Sequence, residues 1–143
     1  MSIWQKEISV EILEAAHGHS ATTTLGIEFV EVGDDFIRAR APVDARTRWG
    51  TGVHSGLHNG VNVVLAETLG SCGAHYATPA NLRAVGLSIS ANHLKKATSG
   101  WVTGVTRPLR NDDTGQTWQI DITDDDGALV CVSKITMALL NAR

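Results

Sequence analysis

One stretch constrains this chain more than any other. Gly56-Leu57-His58-Asn59-Gly60 leads into an apolar segment, Val61 to Ala77, that holds a single carboxylate, Glu67. The pattern predicts a helix from about Asn59 to Ala77, with Asn59 as its N-cap and an end set by Pro79. Ala66, Gly70, Gly73, Ala74 and Ala77 are small. A glycine inside a helix costs about 1 kcal/mol against alanine, so Gly70 and Gly73 imply that something packs very close there. A sheet wrapped around the helix would supply that neighbour. Glu67 is expected to be buried, and a buried carboxylate is costly unless it is paired or used.

The rest of the chain supplies the sheet. Ser9 is a candidate N-cap for a short helix through Ala16, which Gly18 ends. Leu25 to Val32 and Phe36 to Pro42 read as strands joined by a Gly33-Asp34-Asp35 turn, an N-terminal hairpin. Val43 to Leu57 has no regular period and is rich in Gly, polar and aromatic residues, the mark of a functional or mobile loop. After the helix, Arg83 to Lys95, Trp101 to Arg107, Gln116 to Thr123 and Leu129 to Leu139 read as strands. Val85, Leu87, Ile89, Ala91 and His93 would share one face of the first of these, and Trp118, Ile120 and Ile122 one face of the third. The expected fold is α+β, a single domain over residues 1–143, with a largely antiparallel sheet covering one long central helix.

Charge and composition narrow the function. Twelve basic against 15 acidic residues, with no basic run, give no footprint for nucleic acid. No segment has the length and apolarity to cross a membrane, and the N-terminus has no signal-peptide core. Cys72 and Cys131 sit far apart in apolar stretches and read as reduced core thiols. These features predict a cytoplasmic protein with neither nucleic acid nor membrane as partner.

Three groups of residues carry chemistry. Glu67, Ser71 and His75 recur every four positions and lie along one helical stripe. A carboxylate in a dry cleft can act as general base or nucleophile. The backbone N–H groups at the helix start, around His58-Asn59-Gly60, have no intrahelical partner and lie at the positive end of the dipole, a setting for an acyl oxyanion. Asn92-His93-Leu94-Lys95-Lys96 ends a strand with groups that can meet an anionic ligand. His54 and His58 are four residues apart, but Gly56 between them and the missing zinc-protease pattern argue against a metal site. No nucleophile elbow and no phosphate-binding or dinucleotide loop is present.

Taken together, Val43-Asp44-x-Arg46-Thr47, Gly56-Leu57-His58-x-Gly60, Val64-Leu65-Ala66-Glu67-x-x-Gly70-Ser71 and Val85-Gly86-Leu87-x-Ile89-x-Ala91-Asn92-His93 resemble the hotdog-fold acyl-CoA thioesterases. The likeness is greatest to the branch with the dihydroxynaphthoyl-CoA and enterobactin-proofreading thioesterases, and less to the hydroxybenzoyl-CoA and phenylacetate-pathway enzymes. It runs nearly from end to end. It implies a hotdog fold, a dimer paired through its sheets with active sites at the interface, and a tetramer of two such dimers. It implies hydrolysis of an aromatic (hydroxybenzoyl-, dihydroxynaphthoyl- or phenylacetyl-like) or medium-chain acyl-CoA, without a cofactor or metal, since CoA belongs to the substrate. By the same resemblance Glu67 is the base or nucleophile. The Asn59 N–H, with His58 and Gly60, forms the oxyanion turn, and Ser71 is the hydroxyl one turn past the carboxylate. His93 and Lys95 lie near the bound acyl-CoA, Lys95 toward a CoA phosphate.

The chain departs from that family in two places. Relatives read His-Gly-Gly, whereas this chain has Asn59 after His58. Relatives also place a carbonyl-orienting glutamine six residues before the histidine. Here Gly52 stands there, and no glutamine occurs between Lys6 and Asn111. Arg48, Thr51 and His54 are the candidates to replace it. A non-catalytic acyl-CoA-binding hotdog protein and a hotdog dehydratase are the alternative functions.

Overall fold

The computed structural model describes residues 1–142. In chain order the elements are α1 (Val10–Ala16), α2 (Ala21–Thr24), β1 (Glu28–Val32), β2 (Ile37–Pro42), β3 (Arg48–Trp49), β4 (Gly56–Leu57), α3 (Asn59–Tyr76), β5 (Leu82–His93), β6 (Trp101–Asp112), β7 (Gly115–Asp124) and β8 (Leu129–Asn141). Six strands form one antiparallel sheet in the order β1-β2-β6-β7-β8-β5, and β3 pairs with β4 in a separate two-residue ribbon. The long helix α3 packs on one face of the large sheet. This is the hotdog arrangement.

The glycines of α3 explain how close that packing is. A Cβ on Gly70 would stand 2.5 Å from Ile135 Cγ2, and one on Gly73 would stand 2.7 Å from Trp118 Cζ3. On the strand side Gly104 does the same, since a Cβ there would meet Leu69 Cδ1 at 2.7 Å. Leu65 and Leu69 of the helix are fully buried against Val102, Trp118, Ile120, Ile122 and Ile135 of the sheet. Burying such side chains is the main stabilising term, about 1.5–3 kcal/mol each.

The buried polar side chains between β7 and the end of α3 are paired. The indole N–H of Trp118 donates to Gln116 Oε1 at 2.7 Å, and Gln116 Nε2 donates to Thr78 Oγ1 at 2.9 Å. Thr78 Oγ1 donates in turn to Ala74 O at 2.6 Å, one of the carbonyls left open at the end of α3. This chain of hydrogen bonds ties β7 to the helix C-terminus and fixes the Trp118 ring. Trp4 stacks on that ring from the N-terminal segment, with centroids 6.2 Å apart, and its own N–H donates to Gly33 O.

Several expectations are corrected in detail. The N-cap of α3 is His58, not Asn59, and the helix ends at Tyr76. The cap is backbone-extended and its side chain accepts an N–H, roles that imidazole Nδ1 fills as a carboxamide would. Thr22 to Thr24 belong to the short helix α2 rather than to a run-in to β1. The irregular segment before α3 contains the β3–β4 ribbon. Leu87 does not face the helix. The pairing of β5 with β8 shifts register between Gly86 and Ser88, and Leu87 is left 67 % exposed. Such a bulge reverses the alternation that a sequence pattern assumes. The N-terminal hairpin, the Ser9 cap of α1 and the inward set Trp118, Ile120 and Ile122 agree with expectation. Both cysteines are free and buried. No helix is long and apolar enough to cross a membrane among the described residues.

Candidate active site

The N-terminus of α3 forms one half of the site. His58 Nδ1 accepts from the Gly60 N–H at 2.8 Å, and His58 O accepts from the Val61 N–H at 2.9 Å. The ring nitrogen that accepts carries no proton, so in neutral His58 the proton sits on Nε2. The His58 N–H donates to Thr47 O, which anchors the turn to the preceding loop. Two of the helix's first amides are thereby satisfied. The Asn59 N–H has no partner among the described residues. Asn59 and His58 line a cavity of about 570 Å³ together with Trp49, Leu57, His93 and Lys96. A Cβ on Gly60 would stand 2.9 Å from His58 Nδ1, so the turn closes this tightly only with glycine.

His93, at the end of β5, reaches the same cavity. Its Nδ1 lies 3.4 Å from Nδ2 of Asn62, a residue only 2 % exposed whose Oδ1 finds no partner among the described residues. Asn62 thus orients His93 from inside the helix. The sequence reading missed it, because one buried Asn in an apolar helix shows no period of its own. Trp49 was missed as well, for it stands in the stretch with no regular pattern.

Glu67 is the other half of the candidate site. Its carboxylate is exposed in the protomer, and this corrects the expectation of burial. The sheet covers the Leu65–Leu69 side of α3. It leaves the stripe of Val63, Val64, Glu67, Thr68 and Ser71 partly open. Ser71 Oγ donates to Glu67 Oε1 at 3.2 Å. Glu67 borders a cavity of about 420 Å³ with His17, Thr68, Ser71, Cys72, His75 and Tyr76, and a smaller one of about 200 Å³ against Gly86 to Ile89 of β5. Gly86 faces it, and a Cβ there would make only an ordinary contact with Oε1, at 3.5 Å.

Within one protomer the two halves do not meet. Glu67 follows Asn59 by eight positions of helix, a rise of about 12 Å. A reacting carbonyl needs its oxyanion donor and its attacking group each within about 3 Å. The structure therefore brings together His58, Asn59, His93 and Lys95 in one place and Glu67 and Ser71 in another.

The remaining sequence candidates have definite positions. Lys95 Nζ donates to Asp124 Oδ2 at 2.6 Å, and this pair holds the Lys95 ammonium above and the Asp124 carboxyl below their usual ranges. Lys96 Nζ donates to His54 O and lies 5.2 Å from the centroid of Trp49. Arg48 is a brace. Its guanidinium donates to Ser55 Oγ, Ser55 O and Thr98 O, closing the loop around residues 49–55. His54 sits exposed in that loop and contributes its carbonyl. Burial, then the nearby Lys6 charge, lower the pKa of His75. No cluster of three or more His, Cys, Asp or Glu side chains with metal-binding geometry occurs among the described residues.

A family model for the thioesterase superfamily matches residues 54–131, from the loop before α3 through Glu67 and into β8. The chain belongs to the thioesterase superfamily. As a member of that family it is an enzyme, a thioester hydrolase. It is 41% identical over 138 residues to the 1,4-dihydroxy-2-naphthoyl-CoA hydrolase of Escherichia coli, covering 96% of this chain and 99% of that one. It is 37% identical to the proofreading thioesterase EntH of Cronobacter turicensis, covering 96% and 98%. The crystal structure of a Haemophilus influenzae thioesterase superposes with a TM-score of 0.91 at 41% identity, covering 97% and 95%. A glutamine-to-alanine variant of a Pseudomonas aeruginosa thioesterase superposes with a TM-score of 0.92 at 37% identity, covering 99% and 100%.

Proposed function

We propose that this protein hydrolyses acyl-CoA thioesters with an aromatic acyl group, and that its working unit is a dimer in which Glu67 of one protomer meets the α3 N-terminus of the other. The observation that carries the reading is the unpartnered Asn59 N–H at the head of the same helix that exposes Glu67 two turns on. Each is half of a hydrolytic site, and they are too far apart to serve one carbonyl together.

The open stripe on α3 and the unpaired outer edge of β5 offer the surface for such pairing. Val63, Val64 and the exposed Leu87 lie on it, and a long edge strand left open is a pairing template. Covering Glu67 by a second copy would also provide the dry surroundings in which a carboxylate gains basicity. Joining of two dimers as a tetramer follows the family resemblance.

In the reaction, the thioester oxygen takes the Asn59 N–H while the carbonyl carbon faces Glu67. Glu67 either attacks that carbon itself, and water then cleaves the resulting anhydride, or removes a proton from the attacking water. Either way the C–S bond breaks, the thiolate of CoA leaves and takes a proton, and the carboxylic acid is released. Ser71 holds one oxygen of Glu67, so the other is aimed at the substrate. The E. coli relative, named for dihydroxynaphthoyl-CoA, supports an aromatic acyl group. The loop around Trp49 lacks the glutamine of that family, so the carbonyl is oriented here by the oxyanion turn and by what surrounds it.

The test is thiol release from a panel of aromatic and medium-chain acyl-CoA esters by the parent and by Glu67→Gln. The variant keeps the shape and the Ser71 contact but loses the base. Turnover should fall by about 10²–10⁴-fold with the circular dichroism spectrum unchanged. Equal turnover in the two proteins would remove Glu67 from the mechanism.

A further inference from the structure

The 420 Å³ cavity beside Glu67 ends on a residue that hydrolysis does not use. His17, the C-cap of α1, closes it opposite Ser71 and Cys72 of α3. His17 Nδ1 lies 2.7 Å from Leu13 O. A carbonyl can only accept, so Nδ1 carries the proton, and in the neutral ring Nε2 is an acceptor. The polar atom facing Nε2 is Cys72 Sγ at 3.6 Å, a weak donor. Burial pushes the Cys72 thiol up to about 12, so it stays protonated and takes no part as a nucleophile. The buried Phe29 ring packs against the imidazole, with centroids 5.0 Å apart. A fixed acceptor with a poor partner therefore faces the space next to the catalytic carboxylate.

The spacing suits a ring. Cys72 follows Glu67 by five residues, a helical rise of about 7.5 Å, enough to place one aromatic ring between the carboxylate and the imidazole. Ala16 and Tyr76 complete its lining.

We propose that His17 is a specificity-determining residue, its Nε2 accepting a hydrogen bond from a ring hydroxyl of the acyl group while the thioester lies at Glu67. This rests on the reading of Glu67 as the hydrolytic centre. An unsubstituted ring leaves Nε2 with the thiol alone. A hydroxylated ring exchanges that contact for an O–H donor, and hydrogen-bonding sites discriminate against analogues that lack the donor.

The experiment compares ortho-, meta- and para-hydroxybenzoyl-CoA with benzoyl-CoA. In the parent, kcat/KM for the best hydroxylated ester should exceed that for benzoyl-CoA by about tenfold. His17→Asn places an amide N–H near Leu13 O and has nothing at the Nε2 position, so the ratio should fall to about one. His17→Gln carries an amide oxygen to the Nε2 position and should keep much of the preference. Because each ratio is taken within one preparation, partial unfolding cancels. A parent ratio near one, or equal ratios in the Asn and Gln variants, overturns the proposal. If no thioester is cleaved at all, the hydrolytic reading fails. Calorimetric dissociation constants for the same four esters then judge His17 separately, and equal or unmeasurable binding of all four overturns it too.

Discussion

Asn59 and Glu67 lie about 12 Å apart along one helix and border different cavities. If each completes a site with the other's counterpart in a second copy, complementation must follow. Asn59→Pro removes the backbone N–H and is tolerated at the first position of a helix. His58, at φ −64° and ψ 130°, already has the extended backbone that precedes a proline. Asn59→Pro and Glu67→Gln should each be nearly inactive alone. Refolded together in equal amounts, half the dimers are hybrids, and each hybrid holds one intact site of two. About a quarter of the parent's activity should return. A mixture as inactive as its components would place both groups in one protomer.

Lys95 is tied to Asp124 at 2.6 Å, so that carboxylate competes with a CoA phosphate for its ammonium. Asp124→Asn should therefore lower KM for an acyl-CoA about two- to threefold, while Lys95→Ala raises it, each with kcat little changed. The contrast is read against a truncated thioester without the nucleotide, on which neither change should act. An unchanged KM for acyl-CoA in both variants would leave Lys95 as a partner of Asp124 only.

Gly73 faces Trp118, whose ring is pinned by Gln116 and by Trp4. By helix propensity Gly73→Ala should stabilise by about 1 kcal/mol. The added methyl group instead meets a ring that cannot move, and overpacking of this kind costs about 1–3 kcal/mol. The expected net result is a melting temperature lowered by up to about 6 °C. A raised melting temperature would show that the ring yields.

Burial raises the Cys72 thiol to about 12 from 9.0. The folded state thus favours the neutral thiol more than the unfolded state does. That contribution to stability is fully present below pH 9 and is lost as pH rises from 9 toward 12. At pH 8 a disulfide reagent should label Cys72 slowly in the native protein and promptly in denaturant. Fast native labelling would mean that the thiol is open to water.

Much of this architecture was written locally. The glycine spacing of α3 announced a closely packed sheet, because an interior helical glycine is unfavourable unless a neighbour needs the space. The alternation of Trp118, Ile120 and Ile122 gave the inward face of β7, since strand geometry has period two. Glu67 stood out as the one charge in an apolar run. The order of motifs along the chain was enough to name the family.

Other features depend on contacts between residues distant in sequence. The bulge at Gly86 turned Leu87 outward, and no local pattern encodes a register shift against β8. Lys95 found Asp124 across 29 positions, and His17 met Cys72 across 55. Glu67 proved exposed because its burial is decided by what covers the helix, not by the helix's own composition. The sequence by itself determined the long helix, the six strands of the large sheet, the family and the carboxylate. Only the tertiary structure decided that Glu67 stands exposed, because the sheet covers one side of α3 and leaves the other open.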